Sequence, residues 1–157
     1  MSQPLPLLNS GPVTRVAAGA RPIKRGPAAD AAFVEDAERH LEWARVGEMR
    51  EENIVLAYRA ALRAAGAIIA ASRSRRRRLP AGSAWTRVRK LAPELSDWCD
   101  RFERHARFVN RVDMGVIGAV TAEQFDDVYR DACEFTDISR TVIGYGESAV
   151  SYTHLRA

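Results

Sequence analysis

Apolar residues recur at helical steps through most of this chain. Phe33, Ala37, Leu41 and Ala44 fall on one face at steps of four, four and three, and Gly47 is placed to end that helix. A second helix is predicted over 51–72. Its stripe of Ile54, Tyr58, Ala61, Ala65 and Ile68 is widened by Val55, Leu62 and Ile69. A helix apolar over so much of its circumference belongs at the centre of a bundle, and its alanines let neighbours approach closely. Residues 73–83 break the pattern with an arginine run, Pro80, Gly82 and Ser83. Ser83 is placed to cap a third helix carrying Trp85, Val88, Leu91 and Ala92. Pro93 suits the first turn of a new helix or a kink, and the apolar phase continues through Leu95, Trp98, Phe102, Ala106 and Val109. A looser stretch at 113–120 leads to Thr121-Ala122-Glu123-Gln124, which has capping-box spacing. Beyond it Phe125, Val128, Ala132, Phe135, Ile138 and Val142 share one face.

No segment alternates with a period of two over a useful length, and no internal repeat of fixed period is found. The expected fold is all-α, an antiparallel bundle of four to five helices, with Leu62, Ile69, Trp98, Phe102 and Phe125 buried. The helical domain is placed at 28–146. Residues 1–27 hold five of the seven prolines and three of the ten glycines, which reads as a disordered arm. Leu5 to Leu8 is too short for the apolar core of a secretory leader, and Pro6 interrupts it. The expected compartment is the cytoplasm, where Cys99 and Cys133 would be reduced thiols acting as small hydrophobes. No apolar run approaches the roughly 18–20 residues of a membrane span, so no membrane association is expected. Residues 147–157 read as a disordered tail. The string from Val150 to Ala157 resembles a translated sequencing-adapter read-through and is set aside.

Composition changes this picture mainly through where the charge lies. The chain has 157 residues and a formal net charge of +4. Arg15, Arg21, Lys24 and Arg25 in the arm have no acid among them, so the rest of the chain is neutral overall. Within that remainder, Arg73, Arg75, Arg76, Arg77 and Arg78 crowd into six positions of one predicted loop. Basicity thus sits in a tail and one short cluster on a mildly acidic body, which favours local contact with polyanions. Two readings of the cluster stay open: a phosphate-binding loop, or a solvated loop paired with Asp and Glu of the same or a neighbouring molecule. No aromatic residue is interleaved with these arginines, so a base-stacking platform is not expected there. Arginine outnumbers lysine 22 to 2, a skew that fits a GC-rich bacterial genome and carries no mechanism.

The search for other chemistry is mostly negative. There is no Gly-rich phosphate loop, no zinc-ligand spacing among the cysteines and no pair of histidines four apart, so neither a metal nor a cofactor is expected. His40, beside the first apolar face, reads as a hydrogen-bonded boundary histidine. Trp85 and Trp98 read as core, and Trp43 as partly exposed.

Ser83-Ala84-Trp85 and Leu91-Ala92-Pro93-Glu94-Leu95-Ser96-Asp97-Trp98 carry a family resemblance. The alanine-rich run Tyr58-Arg59-Ala60-Ala61-Leu62-Arg63-Ala64-Ala65 and the segment Ala122-Glu123-Gln124-Phe125-Asp126-Asp127-Val128 extend it. In this order, over about 30–143, they resemble an actinobacterial branch of the HEPN (higher eukaryotes and prokaryotes nucleotide-binding) superfamily. The resemblance implies a small all-α domain, often homodimeric. Many relatives bind RNA, and many cleave it in defence, toxin–antitoxin or RNA-surveillance settings. It also implies a nucleotidyltransferase-like or repair-associated protein as a partner class. Catalytic relatives carry an Arg, four to six residues and then a His, which works without metal as general base or acid on the ribose 2′-hydroxyl while Arg stabilises the phosphorane.

This chain departs from that motif. Arg104 and His105 fit its start, but after five intervening residues the His position holds Asn110. Asn110 cannot shuttle a proton usefully near neutral pH. Arg101 precedes His105 by three intervening residues, one too few. The leading expectation is therefore a HEPN-like domain that binds RNA or another phosphate-rich partner through Arg73–Arg78, without an intact nuclease site. One alternative is a metal-independent RNA endonuclease in which His105 works with Arg101 or Arg104 in another geometry. A second is a non-catalytic dimeric adaptor.

Overall fold

The computed structural model describes residues 25–73, 75–76 and 78–145. The expected tail, and the expected arm up to residue 24, lie outside these residues, as do Ser74 and Arg77 of the arginine run. Five α-helices follow one another: α1 Arg25–Val46, α2 Arg50–Ser72, α3 Ala84–Leu91, α4 Ser96–Asp113 and α5 Ala122–Tyr145. A single 3-10 turn, Pro93–Leu95, joins α3 to α4, and there is no strand among the described residues. The four long helices run alternately up and down. The all-α bundle is as the apolar periodicity predicts.

The helix ends follow from local chemistry. Ser83 Oγ accepts the Thr86 amide at 3.2 Å and caps α3. Pro93 opens the 3-10 turn, where a missing N–H costs nothing. Thr121 Oγ1 accepts from the Gln124 amide at 3.0 Å, and Gln124 Oε1 accepts from the Thr121 amide at 2.9 Å, a complete capping box at the head of α5. α4 ends in a Schellman turn: Val116 N–H reaches Arg111 O, Gly115 N–H reaches Val112 O, and Gly115 takes φ +78. α1 begins at Arg25, three residues inside the span read as arm. Pro27 falls in its first turn, which tolerates proline.

α2 is the centre of the bundle, packed against each of the other four helices. Its Ala57, Ala60, Ala61, Ala64, Ala65 and Ala67 are fully buried. Side chains this small bring backbones together. Ser139 of α5 donates from Oγ to the Ala64 carbonyl at 2.6 Å, and a Cβ on Gly66 would stand 2.9 Å from the Phe33 ring of α1. By length and composition alone α2 could cross a membrane, its best 18-residue window having a mean hydropathy of 1.6. That corrects the reading that no segment approaches such a span. The apolarity has a structural cause here, since 56% of that window is buried among the other helices.

An aromatic cluster fills the space between α2, α3, α4 and α5. Trp85 stacks on Phe102 with ring centroids 4.8 Å apart, Phe135 meets Phe102 at 5.3 Å, and Trp85 Nε1 donates to the Tyr58 hydroxyl at 2.9 Å. Ile69 and Phe102 are buried as expected, whereas Leu62, Trp98 and Phe125 are only partly covered. Their stripes are wider than the faces the neighbouring helices occupy. Cys99 and Cys133 are both free thiols, and burial pushes the Cys99 thiol up to about 11.

Candidate functional site

The arginine run occupies the connection from α2 to α3. Arg73 and Arg75 continue the chain in turns closed on Ala70 O and Ser72 O. At the far side Leu79 packs against the core, and the Pro80 carbonyl accepts from Arg87 Nε at 3.0 Å. The connection is thus tied down at both ends. Arg73, Arg75, Arg76 and Arg78 between them are exposed, while Arg77 lies outside the described residues. None of the four has a carboxylate within ion-pair distance among the described residues. Seven arginines on the helices are paired in this way: Arg39, Arg45, Arg63, Arg89, Arg101, Arg130 and Arg140. Four unpaired guanidiniums on one short connection supply fork-shaped donors suited to phosphate oxygens.

The remaining candidates lie on α4. Arg101 and His105 are one turn apart and share a face. Both reach Asp131 of α5: Arg101 Nη1 lies 3.1 Å from Asp131 Oδ1, and His105 Nε2 lies 2.7 Å from Asp131 Oδ2. The Arg101 guanidinium also lies over the Trp98 ring, 4.6 Å from its centroid, and His105 meets Phe102 edge-on. The His105 and Asp131 side chains are 17% and 14% exposed, so this trio sits half inside the seam where α4 and α5 meet. Arg104 and Asn110 are exposed and stand about 120° apart around the helix. The structure therefore brings Arg101 and His105 together on Asp131, a partner that Arg104 and Asn110 do not share. It adds Asp131, which the sequence reading did not select. The available signal was an acid at the edge of the Val128, Ala132 and Phe135 stripe.

Other polar groups have structural partners. His40 Nδ1 donates to the Asp36 carbonyl at 2.8 Å. Burial opposes charge on Asp36, but hydrogen bonds from Arg63 and Arg39, with His40 nearby, hold its carboxyl below the usual range. Two open grooves of about 420 and 430 Å³ lie at the end of the bundle where α2 begins. Neither is lined by a loop arginine or by the trio. Among the described residues no three His, Cys, Asp or Glu side chains gather as a metal would need.

The family model described as SAV_6107-like HEPN matches residues 44–140, from the last turn of α1 into α5. The chain belongs to this HEPN family. No curated protein and no solved structure matches it. The matched span of the HEPN domain contains the α2–α3 connection, the trio and the aromatic cluster.

Proposed function

We propose that this HEPN domain binds RNA through the arginine-rich α2–α3 connection, as a homodimer in a bacterial cytoplasm, and lacks the Arg/His nuclease chemistry of catalytic relatives. The observation that carries this reading is the four described loop arginines, Arg73, Arg75, Arg76 and Arg78, exposed and with no ion-pair acid among the described residues. An intramolecular partner would have to be displaced before phosphate could bind, and the four described arginines have no such acid among the described residues. The nuclease part of the reading rests on Asn110 in the motif's His position.

The test is binding of a labelled single-stranded RNA to the full chain across salt concentrations, with a chelator present. If all five loop arginines contact phosphates, log K against log salt should slope by about −3.5. The RNA should stay intact. Absence of salt-dependent binding removes the reading and leaves an adaptor that recruits a nucleotidyltransferase-like or repair-associated protein. Light scattering at micromolar concentration checks the homodimer separately, and a 17.4 kDa species alone would remove it.

A second reading is favoured by one observation. A histidine oriented by a carboxylate beside an arginine is the arrangement of a general base with its positioning group. If the RNA is cleaved in chelator and His105→Ala abolishes cleavage, Arg101, His105 and Asp131 become a working nuclease site.

A further inference from the structure

The outer face of α4 carries three arginines, two of which no motif selects. Arg104, Arg107 and Arg111 are all exposed, lie within about 60° of one another around the helix and span about 10 Å along it. Helix stability does not explain them. Like charges at i,i+3 and i,i+4 repel, so Arg107 between Arg104 and Arg111 is a mild cost to the helix. The helix dipole favours cations only near the last turn, which accounts for Arg111 and not for the other two.

Their local acids are occupied. Asp100 and Glu103 stand four residues before Arg104 and Arg107, the spacing at which an acid pairs with an arginine on a helix. Both acids instead bind Arg89 of α3, with Arg89 Nη2 at 2.7 Å from Asp100 Oδ1 and 2.9 Å from Glu103 Oε1. Those two carboxylates also lift the Arg89 guanidinium above its ordinary range, the Glu103 hydrogen bond contributing most. None of Arg104, Arg107 and Arg111 has an ion-pair partner among the described residues. Arg39, Arg45, Arg130 and Arg140 show the contrast, because each pairs with an acid three residues before it.

We infer that Arg104, Arg107 and Arg111 form a second contact surface for the RNA backbone, kept open because Arg89 draws off Asp100 and Glu103. The inference rests on the reading of the domain as an RNA binder and extends it to a surface remote in sequence from the α2–α3 connection. Contact is with phosphate, so it is indifferent to base sequence.

The experiment compares the full chain with R104Q/R107Q/R111Q on a 20-nucleotide single-stranded RNA, with far-ultraviolet dichroism as the folding check. Three lost phosphate contacts should shrink the salt slope by about 2 units and weaken binding alike for different sequences. A parent that binds no RNA overturns this inference together with the proposed function. A parent that binds, with a triple variant of equal affinity and slope, overturns this inference alone. Polyglutamate binding that depends on the three arginines while RNA binding does not would assign the face to an acidic protein and also overturn it. The role of Arg89 is tested by rescue. R89Q should weaken RNA binding by releasing both acids onto the arginines, and R89Q/D100N/E103Q should restore it. A rescue variant no better than R89Q overturns that role.

Discussion

At the α4–α5 seam Arg101 is held by Asp131 and lies over an indole ring, whereas the described arginines of the α2–α3 connection stand in solvent with no ion-pair acid among the described residues. The residue type is the same and the surroundings differ. In the seam the charge is matched within the fold, so its free energy goes into joining two helices. In the connection the four described arginines have no matching acid among the described residues, which leaves their charge open to an external anion. An arginine count therefore says little about function, and the location of each partner acid says more.

The contrast breaks or sharpens in stability and binding measurements. Phe102, fully buried beneath the seam, should cost about 3–5 kcal/mol on Phe102→Ala, from lost transfer energy plus the cavity. A loss under about 1 kcal/mol by denaturant titration would mean the seam has no packed floor. Asp131→Ala removes the acceptor that Arg101 and His105 share and should cost about 1–3 kcal/mol. The lower part of that range is expected, because the Arg101 side chain is 43% exposed. An unchanged midpoint would place the trio outside the fold's support and strengthen the nuclease reading.

Acid should act through a second matched site. The Asp36 carboxyl is lowered in the fold, so its contribution to stability is complete above the unfolded value near 3.8 and is lost as pH falls through the folded value. Asp36→Asn should flatten the loss of stability below that pH, and an unaltered acid profile would refute the assignment. The smallest stability effect belongs to the connection. Replacing Arg75, Arg76, Arg77 and Arg78 with Gln should change stability by less than about 0.5 kcal/mol. The same variant should shrink the RNA salt slope by about 3 units. If it instead destabilises the bundle as Asp131→Ala does, the two regions are not different in kind.

The parts of this arrangement that were legible in the sequence are local. The Ser83 cap, the Thr121–Gln124 box, Pro93 at the start of a turn and the wide stripe of α2 each depend on residues a few positions apart. Asp131 was not legible, because its partners lie 26 and 30 positions away on another helix. Arg89 hides for the same reason: its acids belong to α4, and on that helix they match Arg104 and Arg107 by spacing. Leu62, Trp98 and Phe125 were expected inside because periodicity gives the direction of a face and not how far a neighbour covers it. The arginine run was visible as a run, but which acids its described members meet depends on the fold and not on local spacing.

The alanine face of α2 has a consequence for how the molecule comes apart. Each other helix leans on α2, so local opening that leaves α2 sheltered is confined to the ends and connections. Backbone amides from Ala60 to Ala65 should exchange with solvent only when the whole chain opens, in a single cooperative event. A cut in the arginine-rich connection would divide the chain into α1–α2 and α3–α5, each carrying half of a surface made for the other. Neither fragment encloses an interior of its own, so the smallest autonomous folding unit is the entire five-helix span.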